Sequence, residues 1–128
     1  MSDRQTDEVY AGIDVGGTNI VCGLTDASGQ LLRTLKRPTE AERGGDALVD
    51  KLDAAVRQLL AECGVEPTRL KAVGIGIPGF LDPIQGVVKF AANMNMTNYP
   101  IADKLTSKLG VPVWIDNDVR MYILGEAV

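Results

Sequence analysis

With 128 residues, 45 % of them hydrophobic and 23 % charged, the chain is long enough for one domain with a real core. A net charge of −4 argues against nucleic acid or an anionic membrane as partner, and no apolar run approaches the ~20 residues of a membrane span. Cys22 and Cys63 lie far apart and histidine is absent, so a zinc site built from this chain alone is disfavoured and free thiols in a cytoplasmic protein are expected.

Residues 1–8 are charged and carry no apolar core, so they suit an unstructured leader rather than a signal peptide. The lobe proper is expected over 9–128. Val9, Ala11, Ile13 and Val15 alternate with Tyr10, Gly12 and Asp14, which predicts a strand over 9–14. The run then breaks at Gly16-Gly17-Thr18-Asn19, and a second strand is expected over 20–25. Two uses suit that break. Glycines let backbone N–H groups close around an anion, with Thr18 and Asn19 adding side-chain bonds and Asp14 holding Mg²⁺ through water. The same residues also make an ordinary hairpin turn. Asp26-Ala27-Ser28-Gly29 is a turn, and a third strand runs over 30–37 to Pro38. Such short connections predict an antiparallel meander.

A polar loop leads to the clearest helix, capped by Asp46. Leu48, Leu52, Val56, Leu59 and Cys63 form its apolar stripe, widened by Val49, Ala55 and Leu60, and Gly64 is placed to end it. The next strand is expected over 71–77. Its Gly74-Ile75-Gly76-Ile77-Pro78-Gly79 spells GxGxxG, but the dinucleotide fingerprint needs a helix to open at its end. Here Phe80 to Gly86 carry a proline, a glycine and no helical stripe, so that reading fails. A short strand over 87–90 precedes an Asn- and Met-rich segment over 91–98, which suits either a solvated loop or amide contacts to a hydroxyl-rich ligand. Pro100 opens a short helix that stops at Gly110, and an apolar strand over 111–115 runs into Asp116-Asn117-Asp118. Those residues can cap the helix that begins at Val119, and an ionised Asp there can also take a proton from an attacking hydroxyl.

The order Gly12-Ile13-Asp14-Val15-Gly16-Gly17-Thr18-Asn19, Gly74-Ile75-Gly76-Ile77-Pro78-Gly79, Ala92-Asn93-Met94, Asn117-Asp118 and Gly125-Glu126 resembles the ROK family of sugar kinases and repressors, within the actin-like ATPase superfamily. The resemblance implies an α/β, ribonuclease H-like lobe with a mixed sheet and the element order β-β-β-α-β-α-β-α. It also implies ATP-dependent phosphorylation of a hexose, glucose before others. Gly16, Gly17, Thr18 and Asn19 would then bind phosphate, with Asp14 beside Mg²⁺. Gly79, Asn93 and Asn117 would line the sugar site and Asp118 would be the general base, leaving Asp116 structural. Asn19 stands where many members have Lys, and Val119-Arg120 where small and amide residues are common. Family kinases have two lobes, and the chain corresponds to the first. A structural zinc would belong to the second, and the 128 residues alone are expected to turn over little or no sugar. Hexose and ATP are the expected partners, with a homodimer possible and neither nucleic acid nor membrane involved. The alternatives are the sugar-sensing lobe of a transcriptional regulator and a non-catalytic sugar-binding or assembly module.

Overall fold

The computed structural model describes residues 8–117. Ten main elements succeed one another along the chain: β1 (Val9–Val15), β2 (Asn19–Asp26), β3 (Leu31–Pro38), α1 (Gly45–Glu62), β4 (Leu70–Gly76), β5 (Phe80–Asp82), β6 (Val87–Ala91), β7 (Met96–Tyr99), α2 (Ile101–Leu109) and β8 (Val113–Asp116). The expected leader and the expected final helix lie outside the described residues, apart from Glu8.

The main sheet has the strand order β3-β2-β1-β4-β8. The first three strands form the expected antiparallel meander, because their connections are too short for anything else. β4 and β8 run parallel to β1, each reached through a helix. One face of this sheet is apolar. Val9, Ala11, Ile13 and Val15 of β1, with Ile20, Cys22 and Leu24 of β2 and Val73 and Ile75 of β4, are all buried. Both helices contribute to the same core: Leu48, Leu52, Val56 and Leu59 from α1, and Ile101 and Leu105 from α2. The alternation in β1 and the stripe in α1 are thus two halves of one interior.

Glycines dominate the middle of the opposite face. Gly23, Gly12, Gly74 and Trp114 form one rung across four strands. A Cβ on Gly74 would stand 2.7 Å from the Trp114 indole, so the ring lies against bare backbone there. The glycines of the GxGxxG spelling therefore serve the sheet, and the chain enters strand β5, not a helix, directly after Gly79.

Three details depart from the sequence reading. Gly44, with φ of 88°, occupies the N-cap of α1 in place of Asp46. Asp46 sits in the first turn and accepts a hydrogen bond from the Tyr99 hydroxyl at 2.5 Å, a long-range partner that no local signal announces. The segment expected as a loop over 91–98 instead holds a 3₁₀ turn, Ala92–Met94, and strand β7, which completes a second sheet ordered β5-β6-β7. Met94 and Met96 are buried beneath it, so the methionines are core residues. The last strand is shifted to Val113–Asp116, which puts Asp116 inside the sheet. At the far end of α1 the expected stop holds: Gly64 has φ of 66°, and Val65 N–H donates to Leu60 O at 2.9 Å.

Candidate functional site

The carboxyl ends of β1, β4 and β8 lie side by side, and of the residues singled out in the sequence Asp14, Gly16, Gly17, Gly79 and Asn117 lie at or just beyond them. The β1–β2 connection is a tight turn closed by Gly16 N–H donating to Asn19 O at 2.9 Å. A Cβ on Gly16 would come within 3.0 Å of that same Asn19 oxygen, so a side chain there crowds the closed turn. Gly17 differs. Its φ is not in the left-handed region and a Cβ there would meet nothing within 4 Å. Among the described residues neither packing nor a left-handed φ accounts for this glycine, and bare backbone at this position allows close approach from outside. Thr18 is exposed beside it, and Asn19 begins β2 half-buried.

Thr39 belongs to this site and was not singled out in the sequence. It is buried to 1 % exposure. Its hydroxyl donates to Gly16 O at 2.8 Å and its N–H donates to Thr18 O at 2.8 Å. The residue lies just past β3, in a stretch whose composition reads as plain loop. Only the pairing of Asn19 with Pro38 brings it behind the turn.

Asp14, Gly76 and Asp116 stand on one rung of the parallel strands. Residues on one rung share a face, so the two carboxylates flank a position with no side chain, with their backbones about 9–10 Å apart, two strand spacings. Among the described residues no three metal-ligating side chains converge. Asp14 alone offers one carboxylate, which is the kind of contact a largely hydrated Mg²⁺ takes and not a dedicated all-protein cage.

The second motif turns away from β4 at Pro78 and Gly79. Gly79 has φ of 119°, and a Cβ on it would stand 2.6 Å from Phe90 O, so both conformation and space require glycine. Asn117 holds this turn in place. Its side-chain NH₂ donates to Ile77 O and to Gly79 O, both at 3.1 Å. Asp116 in turn accepts the Asn117 N–H at 2.6 Å, and Ile77 N–H donates to Asp116 O at 2.9 Å. Asp116 thus has a structural role in this turn, and Asn117 uses both amide hydrogens within the protein.

Gly17, Pro78, Gly79, Ala91, Ala92, Asn93 and Met94 line a cavity of about 240 Å³. The structure therefore brings Gly17 of the first motif together with Gly79 and Asn93 of the second and third. Asn117 borders this wall through its bonds to the Gly79 turn. Asp118, expected as general base, lies outside the described residues.

Comparison with known proteins bears on the family and the fold. A family model described as the ROK family matches residues 10–128. Glucokinase from Halalkalibacterium halodurans is 32 % identical over 126 residues, covering 98 % of this chain and 37 % of the relative. N-acetyl-D-glucosamine kinase from Escherichia coli O139:H28 is 36 % identical over 120 residues, covering 93 % of this chain and 38 % of the relative. The crystal structure of a ROK family glucokinase from Streptomyces griseus in complex with glucose and AMPPNP superimposes with a TM-score of 0.76 at 32 % identity, covering 94 % of this chain and 38 % of that one. The chain spans a little over a third of the length of these relatives. Its mixed sheet is that of the expected ribonuclease H-like, actin-like ATPase class. On both sequence and fold, the chain belongs to the ROK family.

Proposed function

We propose that the chain is the N-terminal lobe of an ATP-dependent sugar kinase that phosphorylates a hexose, glucose first among the candidates. One observation carries the reading: Gly17, a glycine that neither packing among the described residues nor a left-handed φ requires, lines the same cavity as Gly79 and Asn93. A phosphate-binding turn and an amide-bearing pocket that share a wall suit transfer of a phosphoryl group to a bound hydroxyl.

In this reading the N–H groups of Gly17 and Thr18 receive the phosphates of ATP, aided by the side chains of Thr18 and Asn19. Asp14 holds Mg²⁺ through water, and the ion neutralises charge on the phosphates when bound. Asn93 and the Gly79 turn bind sugar hydroxyls, and Asn117 keeps that turn in register. Asp118 accepts the proton of the attacking hydroxyl. The curated relatives include both glucokinases and an N-acetyl-D-glucosamine kinase, so glucose and N-acetylated hexosamines head the substrate panel. Hexose and ATP are the partners, a cytoplasmic location accompanies them, and neither nucleic acid nor membrane takes part.

Asp118→Asn tests the assignment of the base. In the longest reading frame that carries this chain, kcat should fall by about 10³ while the sugar Kd stays within about threefold. A variant that keeps a tenth of the wild-type kcat would remove Asp118 from the mechanism.

A further inference from the structure

We propose that Thr39 is a positioning residue for nucleotide binding: it orients the peptide units of the Gly-Gly-Thr turn so that the Gly17 N–H faces the ligand. The inference rests on the functional reading above and adds a residue to it. Thr39 is the one buried polar side chain among the described residues. Both of its donors are spent on the turn, the hydroxyl on Gly16 O and the N–H on Thr18 O, each at 2.8 Å.

Peptide geometry sets the consequence. In a trans peptide unit the C=O and the next N–H point in opposite directions, and no peptide bond among the described residues is cis. Drawing Gly16 O inward to the Thr39 hydroxyl therefore drives the Gly17 N–H outward. Among the described residues no backbone carbonyl accepts that N–H or the Thr18 N–H. The turn is thus held from behind by one residue while its free donors face the open side. A preorganised donor of this kind gains affinity because no reorientation is needed when the anion arrives. Without the hydroxyl, the glycine pair is free to flip its peptide.

Thr39→Val keeps the shape and removes the hydroxyl, whereas Thr39→Ser keeps the hydroxyl. Titration calorimetry on the longest reading frame that carries this chain would measure Kd for ATP with Mg²⁺ and, separately, for glucose, alongside Tm. The expected result is a rise of about tenfold in the ATP Kd for Thr39→Val, with the glucose Kd within about twofold and Thr39→Ser restored to within about threefold of wild type. Unchanged ATP binding in Thr39→Val would overturn the proposal. So would a parallel loss of ATP and glucose affinity that tracks a lowered Tm, since that is a structural role alone. A wild-type protein that binds glucose but not ATP would defeat the functional reading itself, and the proposal with it.

Discussion

The two glycines of the first turn look alike in the sequence and differ in the fold. A Cβ on Gly16 would crowd the closed turn, whereas one on Gly17 meets open space among the described residues. Gly17→Ala should therefore leave stability within about 0.5 kcal/mol of wild type and still raise the KM for ATP by about tenfold. Urea denaturation and steady-state kinetics check the two halves separately, and an unchanged KM would take Gly17 out of the nucleotide site. Cys22 has a different role. Burial pushes its thiol up to about 12 from an ordinary 9.0, and the Arg37 charge offsets only part of that. The thiol is neutral and enclosed at physiological pH, so it is inert toward thiol reagents until the chain unfolds. Because its pKa is raised in the folded state, its contribution to stability is complete below pH 9 and is lost as the pH climbs toward 12. The Cys22 share of the loss in that window should be on the order of 1 kcal/mol per pH unit, and Cys22→Ala should show a shallower alkaline slope, keeping the shares of Cys63 and Tyr99, whose pKa burial also raises. Equal alkaline slopes in both proteins would contradict it.

At the scale of elements, the rung Gly23, Gly12, Gly74 and Trp114 makes a specific demand. Gly74→Ala forces a methyl into the Trp114 ring and should destabilise the fold by about 1–3 kcal/mol, read as a lower urea midpoint at constant m. A midpoint at or above that of wild type would show that the indole moves aside freely. This rung also shows what a sequence reveals and what it conceals. The alternation of β1, the stripe of α1 and the helix-stopping Gly64 are local patterns, and the antiparallel start with parallel later strands is dictated by connection lengths. The failure of the GxGxxG reading was equally legible, since no helix pattern comes after Gly79. Pairings between distant segments were not. The Tyr99 bond to Asp46 spans 53 residues, and the reach of Asn117 to Ile77 and Gly79 spans 40 and 38. Strand β7 was hidden because Met96–Tyr99 carries two polar residues in four, and its partner β6 supplies the missing reason to be a strand. Thr39 escaped notice for the same cause: its role comes from lying behind a turn about 20 residues earlier, a contact made only by strand pairing.

For the molecule as a whole, the described lobe presents a glycine turn, two carboxylates on one rung and a cavity at the carboxyl ends of its parallel strands. Open α/β sheets gather ligands at that edge. Among the described residues the cavity is open on its outer side, and phosphoryl transfer in water-accessible surroundings is inefficient, so the 128 residues by themselves should show little or no turnover. The decisive measurement is a coupled assay for ADP release by the longest reading frame through this chain, run against a panel of hexoses and N-acetylated hexosamines, with the 128-residue chain in parallel. Turnover of about 1 s⁻¹ or more is expected with at least one sugar, dependent on ATP and Mg²⁺, and little or none from the 128 residues alone. A folded, full-length protein that releases no ADP with any sugar of the panel would contradict the kinase assignment and leave a sensor or binding lobe in its place.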